Sequence, residues 1–449
     1  MHRERKSGIL LHPTSLPGSG GIGSMGAEAR RFVDFLHDAG QTLWQVLPLG
    51  HTSYGNSPYM CYSAFAGNPL LIDLDRLVAE GDLDASCLED DLPTDRVDYS
   101  RVKEYKLGAL RTAAAAFFAG GRSARMEEFW HFCDTTPWLH DFALFMALKG
   151  LYAGMCWSDW PREIASRDPS ALEEASRSLG PVVGEQKYQQ WQFFRQWHAV
   201  RDYANQRGVG IFGDIPIFVA YDSCDVWACP WLFHLDDKGR PTVVAGVPPD
   251  YFSKTGQLWG NPLYNWDAMA RDGYAWWVER VSASLDLYDL IRIDHFRGFA
   301  AGWEVPYGEK TAKNGQWVAG PGEALFSALS SAFEKLPIVA EDLGFITPDV
   351  EELRDRFSFP GMKILQFAFC SGPNNPYLPH NHVRNSVVYT GTHDNDTTRG
   401  WFDSLSSREK KAVLRYLDRE GDGIVWDMIR TALASVADTV VVPLQDVLE

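Results

Sequence analysis

The hydrophobic positions of this chain fall into eight short runs that are typical of buried parallel strands. Each run is almost continuous in apolar and β-branched residues, which is the pattern of a strand covered on both faces. The runs are SGILLHP (7–13), TLWQVLPLG (42–50), GIFGDIPIFV (210–219), LIRIDHF (290–296), PIVAEDLG (337–344), KILQFAF (363–369), SVVYTGTHD (386–394) and VVVPLQDVL (440–448).

Helical patterns separate several of these runs. One apolar stripe at helical spacing consists of Ala29, Phe32, Val33 and Leu36. Gly40 marks the end of that helix. Strand and helix therefore alternate, and eight such units predict an α/β fold, a closed (β/α)8 TIM barrel. The active site of such a barrel lies at the carboxyl ends of its strands.

The spacing of the strands is uneven. Roughly 160 residues separate the second and third strands and about 70 separate the third and fourth, so both intervals predict inserted, mainly helical subdomains. In the first insert, aromatic residues recur every three positions, which we interpret as core packing; they are Tyr188, Trp191, Phe194 and Trp197. The predicted division is 1–50 (strands one and two), 51–208 (helical insert with a substrate loop), 209–220 (strand three), 221–285 (inserted loop region over the active site) and 286–449 (strands four to eight).

Length and charge exclude some classes of partner. With 449 residues, 45% of them hydrophobic, the chain can bury a large core. Its 42 basic and 59 acidic residues leave a net charge of −17, and such a surface repels a polyanion. We therefore expect no nucleic-acid partner, whereas a neutral sugar is compatible with this charge.

The cysteines and the N-terminus predict a cytoplasmic protein. The seven cysteines are an odd number and are scattered without the spacing of a disulfide scaffold. Near the N-terminus the only apolar stretch is Ile9 to Leu11, and no run elsewhere reaches the roughly 18 residues of a transmembrane helix. We expect neither a signal peptide nor a membrane partner.

Three predicted strands end in a carboxylate within an otherwise apolar run: Asp294 in IRIDHFRG, Glu341 in IVAEDLG and Asp394 in GTHDND. Burial of an unpaired charge is unfavourable, so each needs a hydrogen-bonded partner or a function that retains it. In a barrel the three would converge on one mouth. Arg292 lies two residues before Asp294, on the same strand face, where it can keep that carboxylate ionised.

These carboxylates fit retaining glycoside chemistry, which needs a nucleophile and an acid roughly 5–5.5 Å apart. Asp294 is the candidate nucleophile. Glu341 is the candidate acid, and we expect burial or nearby negative charge to raise its pKa towards neutrality. Asp394, with His393 beside it, is expected to hydrogen-bond sugar hydroxyls and to favour the distorted ring.

Four segments resemble the signature regions of the α-amylase clan, and the sequence around them is similar to the amylomaltase or disproportionating-enzyme family. They are GDIPIFVA (213–220), IRIDHFRG (291–298), AEDLG (340–344) and GTHDNDT (391–397), in the order that the family has them. The resemblance extends from about residue 7 to the end. It implies that Asp294 is the nucleophile, Glu341 the acid/base and Asp394 the transition-state stabiliser. We place four further residues of these segments in the substrate-binding set: Asp214, Arg292, His295 and His393.

Two more segments, YGNSPYMCYSAFAGNP (54–69) and GVPPDYFSKTGQLWGNP (246–262), separate this family from ordinary amylases. Their aromatic residues offer flat faces for sugar rings, with ordinary loop packing as the alternative; they are Tyr54, Tyr59 and Trp259. Their polar residues offer hydrogen bonds to hydroxyls; they are Ser57, Gln257 and Asn261. The resemblance implies that the second segment forms a loop over the active site that helps to exclude water.

The resemblance thus implies a 4-α-glucanotransferase that transfers α-1,4-glucan segments between maltodextrins, with glucose as acceptor or product. A hydrolase of the same clan and a catalytically silent glucan-binding protein are the alternatives. Members of the family usually continue past the eighth strand with a segment containing an Asn-Trp-x-x-Arg-like motif, whereas this chain stops at Glu449. Truncation and natural divergence both stay open as explanations.

Three weaker patterns are not adopted as sites. A GxGxxG pattern is separated from its strand by HPTSLP, so a tight loop explains it. A cysteine and histidine group lacks a fourth zinc ligand, and an acidic turn lacks the loop of a calcium site. We predict no required metal or cofactor. The patterns comprise Gly18, Gly20 and Gly23; Cys224, Cys229 and His234; and Asp394, Asn395 and Asp396.

Overall fold

The computed structural model describes residues 5–18, 20–88, 92–249, 253–369 and 371–449, and an eight-stranded parallel sheet forms its centre. The strands of these ranges are β1 (Lys6–Leu10), β2 (Leu43–Gln45), β3 (Gly210–Ile215), β4 (Val243–Val247), β5 (Gln257–Pro262), β6 (Leu290–Ile293), β7 (Ala301–Pro306), β8 (Gln316–Ala319), β9 (Ile338–Ala340), β10 (Gly361–Ile364), β11 (Ser386–Tyr389) and β12 (Thr439–Pro443).

The parallel sheet curls into a nearly closed barrel. Its strand order is β10-β11-β12-β1-β2-β3-β6-β9, so β9 and β10 are the two ends that meet. There the Ala340 N–H donates to the Pro360 carbonyl over 2.9 Å. Apolar side chains from several strands, among them Phe212, Met362 and Val441, form a hydrophobic cluster that is separate from the main core. Each predicted strand overlaps one barrel strand, and the predicted TIM barrel is confirmed.

Helices surround the barrel. In the described ranges they are α1 (Ala27–Asp38), α2 (Leu74–Ala79), α3 (Tyr99–Ala119), α4 (Ala124–Thr135), α5 (Leu139–Leu151), α6 (Arg162–Ala165), α7 (Pro169–Ser178), α8 (Gly180–Gln206), α9 (Cys224–Ala228), α10 (Trp266–Arg271), α11 (Ala275–Leu287), α12 (Gly322–Ala332), α13 (Pro348–Arg356), α14 (Thr398–Ser404), α15 (Ser407–Leu417), α16 (Ile424–Ala434) and α17 (Leu444–Leu448). Within this part of the chain, no helix has both the length and the apolar character needed to cross a membrane.

The helical predictions agree with the structure. The predicted apolar stripe is the buried face of α1, and Gly40 follows that helix with φ of 69°. Between β2 and β3 the chain forms α2 to α8, which is the mainly helical insert expected there. The four aromatic residues of α8 are buried against neighbouring helices, so the packing interpretation of Tyr188, Trp191, Phe194 and Trp197 is confirmed.

A second, smaller sheet was not predicted. It is antiparallel, with the order β5-β4-β7-β8, and its strands come from the insert after β3 and from the segment after β6. Most residues of β5 and β8 are exposed or half-buried, so these strands lack the continuous apolar run by which the barrel strands were recognised. This sheet positions Trp259 of β5.

Candidate active site

The carboxyl ends of neighbouring barrel strands bring the predicted carboxylates together. Asp294 directly follows β6, and Glu341 directly follows β9, which pairs with β6 so that Ile293 lies opposite Ala340. The backbone N–H of His295 donates to Glu341 Oε2 over 2.7 Å. Because Asp294 precedes His295, the candidate nucleophile and the candidate acid lie on adjacent strand ends.

A buried arginine holds two carboxylates. The register of β3 and β6 places Asp214 opposite Arg292. Arg292 Nη2 lies 2.6 Å from Asp294 Oδ1, and Nη1 lies 3.3 Å from Asp214 Oδ2. Burial alone would lower the pKa of Arg292, but the two carboxylates outweigh it and raise this pKa well above its ordinary value. Arg292 is therefore a permanent cation that stabilises negative charge on Asp294.

Tyr59 connects Asp214 to His393. Its hydroxyl donates to Asp214 Oδ2 over 2.7 Å and lies 2.7 Å from His393 Nε2. Since a phenol has one proton, the hydroxyl must accept from a protonated Nε2. The two rings also stack, with centroids 5.5 Å apart and planes inclined by 10°. Burial raises the pKa of Asp214 to about 7 against the opposing charge of Arg292.

Glu341 is the buried acid of the site. Its Oε2 accepts the His295 N–H, and its Oε1 accepts the Leu343 N–H over 3.0 Å. Burial and the charge of Asp294 raise the pKa of Glu341 to about 8, although Arg292 and the His295 N–H act in the opposite direction. At neutral pH the carboxyl group therefore carries a proton, which is the state expected of a general acid.

Asp394 lies at the open side of the site. It belongs to the loop after β11, and 72% of its side chain is exposed. Its Oδ1 lies 3.4 Å from His393 Nε2, and its backbone N–H donates to Thr392 Oγ1. A carboxylate in this position is free to accept hydrogen bonds from a ligand.

His295 and Trp259 connect the barrel to the small antiparallel sheet. His295 adopts a left-handed conformation, with φ and ψ both 50°. Burial lowers the pKa of His295 to about 4, against the opposing charge of Asp294, so the ring is neutral at physiological pH. The Trp259 ring contacts it edge to face with a centroid distance of 4.7 Å. The Trp259 ring therefore lies beside the strand end that carries Asp294.

Most of the remaining predicted binding residues form hydrogen bonds to other protein groups. Ser57 Oγ accepts the Tyr59 N–H over 3.3 Å, and Gln257 Oε1 accepts Trp259 Nε1–H over 3.1 Å, so both also support neighbouring aromatic residues. Asn261 is buried, and its amide donates to the Val219 carbonyl, which is a structural bond. The side chain of Tyr54 and residues 250–252 of the second family segment lie outside the described part of the chain.

His12 lies next to the site and was not predicted. It follows β1 at the same end of the barrel, and burial lowers its pKa to about 4, with a smaller contribution from nearby His393. The signal was present in the SGILLHP run, where a polar residue ends a buried strand as Asp294 does.

Comparison with known proteins gives one consistent family. A family model described as 4-alpha-glucanotransferase, glycoside hydrolase family 77, matches residues 11–449. The chain is 53% identical to the 4-alpha-glucanotransferase of Synechocystis, covering 99% of this chain and 90% of that protein. It is 51% identical to the enzyme of that name from Thermus thermophilus, covering 100% of this chain and 91% of the relative.

Solved structures agree with these matches. An amylomaltase from Streptococcus agalactiae in complex with acarbose superposes with a TM-score of 0.95 at 40% identity, covering 99% of this chain and 91% of that chain. The amylomaltase of Corynebacterium glutamicum shares the fold, with a TM-score of 0.75 at 18% identity, over 98% of this chain and 68% of its own.

Proposed function

Because the chain belongs to the 4-alpha-glucanotransferase family of enzymes, we propose that it moves α-1,4-glucan segments between maltodextrins by a retaining double displacement, with glucose as product or acceptor. One observation carries this proposal: Asp294 lies 2.6 Å from the Arg292 guanidinium, while burial raises the pKa of the neighbouring Glu341 to about 8. A retaining mechanism needs this combination of an anionic nucleophile and a protonated acid.

In the first step Asp294 attacks the anomeric carbon of the donor. Arg292 occupies Oδ1, so Oδ2 is the oxygen available for attack. The bond between the anomeric carbon and the glycosidic oxygen breaks as Glu341 transfers its proton to that oxygen. The part of the donor with the new 4-hydroxyl leaves, and the rest stays bound to Asp294 as a glycosyl ester.

In the second step Glu341 acts as a base. It removes the proton from the 4-hydroxyl of a maltodextrin or glucose, whose oxygen attacks the anomeric carbon and releases Asp294. The N–H groups of His295 and Leu343 stabilise the Glu341 carboxylate between the two steps. Two inversions at one carbon retain its configuration.

The residues around the pair orient the sugar. Asp394 is the exposed acceptor for sugar hydroxyls, and His393 is held beside it by the Tyr59 hydroxyl. Trp259 presents an apolar face next to His295, where stacking on a sugar ring favours a glucan acceptor over water. Arg292 contacts both Asp214 and Asp294, so it fixes the position of the nucleophile relative to these residues.

A cytoplasmic location is part of the same proposal. The six cysteines within the described ranges are free thiols, which is the state that a reducing compartment maintains. Maltodextrins derived from glycogen or starch would meet the enzyme there.

The proposal is tested by incubating the protein with maltotriose alone and separating the products by chromatography, with Asp294→Asn as the control. Transfer yields glucose together with dextrins longer than maltotriose, and the variant should form neither at a measurable rate. The substitution keeps the size of the side chain but removes the negative charge that attacks.

Two other outcomes would contradict the proposal. Maltose and glucose without longer dextrins would identify a hydrolase that uses the same carboxylates. Longer dextrins formed equally well by the Asp294→Asn protein would remove Asp294 from the mechanism.

A further inference from the structure

A groove of about 870 Å³ lies on the outer helices, away from the site described above. It runs between α4, α8 and α11 and reaches the end of α12, and none of the proposed active-site residues lines it. Its volume falls in the range of roughly 300–1,000 Å³ that is usual for ligand sites.

The helix α11 forms one wall with side chains that leave space. The residues Ala275, Glu279, Ser282 and Asp286 follow at intervals of four, three and four positions, so they share one face of the helix, and all four are exposed. At a rise of about 1.5 Å per residue this face extends over roughly 16 Å, which is longer than a single sugar ring. Two of the four side chains are small, and they keep the groove open.

Aromatic rings cover the floor and the opposite wall. Phe194 of α8 contacts Phe132 and Trp138, with ring centroids 5.7 and 5.8 Å apart. Phe132 and Trp138 are half-buried, so part of each ring faces the groove. Apolar ring faces of this kind are surfaces on which the apolar face of a pyranose can lie.

The rim is polar and mainly acidic. Two contacts connect α8 to its neighbours, each over 2.9 Å: an ion pair between Arg195 Nε and Glu128 Oε1, and a hydrogen bond between His198 Nε2 and Asp286 Oδ2. Glu279 has no hydrogen bond or ion pair with any other residue that the structure describes. Three carboxylates against one guanidinium disfavour an anionic ligand, as does the net charge of the chain.

We infer that this groove is a second, non-catalytic binding site for an α-glucan chain, in which sugar rings lie on Phe132 and Trp138 while their hydroxyls donate to Glu279. A neutral polyhydroxyl chain satisfies the apolar floor and the polar rim together. An apolar peptide would instead bury the Glu279 carboxylate without a partner, which is unfavourable. The ligand class rests on the proposed function, but the site takes no part in the transfer steps.

Binding at the groove retains long glucans on the enzyme, whereas short substrates react without occupying the groove. A polymer bound at the groove has its other segments at a raised local concentration near the barrel mouth. We therefore expect the groove to affect the affinity for amylopectin but not the reaction of maltotriose.

The test fills the groove from the α11 side. Ser282→Trp and, independently, Ala275→Trp place a bulky ring in it, and Ser407→Trp on α15 is the matched control at an exposed helical serine outside the groove. Affinity for amylopectin is measured by retardation in native gels, with Asp294→Asn in every protein so that the polymer is not consumed. Both groove variants should raise the Kd for amylopectin about tenfold, which corresponds to roughly 1.4 kcal/mol, and the control should not change it.

The kinetic arm uses the same substitutions with Asp294 intact. Values of kcat and KM for maltotriose should stay within about twofold of the unmodified protein, since a tenfold change would require roughly 1.4 kcal/mol. A proportional loss of maltotriose activity, or an unchanged Kd for amylopectin in both groove variants, overturns the inference. If size-exclusion chromatography shows that the groove variants dissociate a dimer while the Kd is unchanged, the groove is a contact between two copies. Failure of the proposed transfer would be seen separately, as the absence of long dextrins from maltotriose.

Discussion

Burial and hydrogen bonding act in opposite directions on Glu341. Removal from water favours the protonated carboxyl, while the two backbone N–H groups favour the carboxylate, and burial prevails, so that the pKa is raised to about 8. This balance suits a residue that must hold a proton before the first step and accept one in the second. A carboxyl group with stronger hydrogen bonds would have lost the proton at neutral pH.

The alkaline limb of the pH profile tests this assignment. Because the free enzyme needs protonated Glu341, kcat/KM for maltotriose should fall about tenfold per pH unit once the pH exceeds about 8. Initial rates between pH 6 and pH 10 measure it. Glu341→Gln should lower kcat/KM by roughly 10²- to 10⁴-fold and abolish this limb. A limb with the same midpoint in the variant would assign it to another group.

Single residues differ in how far the sequence predicts them. Asp294, Glu341 and Asp394 were recognisable because each ends a buried strand, and the parallel topology of a barrel brings such positions to one face. Asn261 is predicted to bind sugar hydroxyls, and its donation to the Val219 carbonyl depends on packing between an inserted segment and the barrel loops. The acceptor role of the Tyr59 hydroxyl depends on His393, which is distant in sequence. Sequence patterns carry no information on such pairs.

The small antiparallel sheet is a set of secondary-structure elements that the sequence patterns do not predict. Its edge strands β5 and β8 are short and mostly exposed or half-buried, so neither alternation nor a continuous apolar run identifies them. The barrel strands, in contrast, are covered on both faces and keep a near-continuous apolar run. The sheet nevertheless has a defined task, since β5 holds Trp259 against His295.

Gly256 directly precedes β5. Its φ is 69°, and a Cβ atom there would lie 2.3 Å from the Val247 carbonyl oxygen and 2.9 Å from the Ala312 Cβ. Gly256→Ala should therefore displace the start of β5 and with it Trp259. We expect kcat/KM for maltotriose to fall about tenfold, equivalent to roughly 1.4 kcal/mol of transition-state stabilisation. Steady-state kinetics measure the effect.

Gly308, in the β7–β8 hairpin of the same sheet, provides the matched control. Its φ of 93° imposes similar backbone strain on alanine, but no atom lies within 4 Å of the added Cβ. Gly308→Ala should destabilise the protein by roughly 1–2 kcal/mol and leave kcat/KM within about twofold. Equal kinetic effects of the two substitutions would show that backbone strain, and not displacement of β5, limits the activity.

Across the whole molecule, buried histidines and buried carboxyl groups change the stability of the fold in opposite directions as the pH rises. Burial is the largest influence on the pKa values of His12, His51 and His295, which it lowers to about 4. In the unfolded chain these histidines take up protons below about pH 6.5, so their contribution to stability rises with pH between about 4 and 6.5. Burial likewise raises the pKa values of Asp225, Asp214 and Glu341 to about 6, 7 and 8. Above about pH 4 these carboxyl groups keep their protons in the folded state but lose them in the unfolded chain. Their contribution to stability therefore falls as the pH rises.

The two effects largely cancel below about pH 6, whereas between pH 6.5 and 8 the loss of the Asp214 and Glu341 protons from the folded state outweighs the remaining titration of the three histidines in the unfolded chain. We therefore expect the free energy of unfolding to fall by about 1 kcal/mol over that interval, because the two carboxyl groups together lower it by about 2.4 kcal/mol and the three histidines offset about 1.2 kcal/mol of that. For 449 residues this corresponds to a decrease in Tm of about 1 °C, measurable by calorimetry at pH 6.5 and 8. In Glu341→Gln most of the decrease should disappear, since its side chain does not titrate. A Tm that rises over the same interval would mean that the folded protein holds fewer protons than the unfolded chain, contrary to the burial of these carboxyl groups.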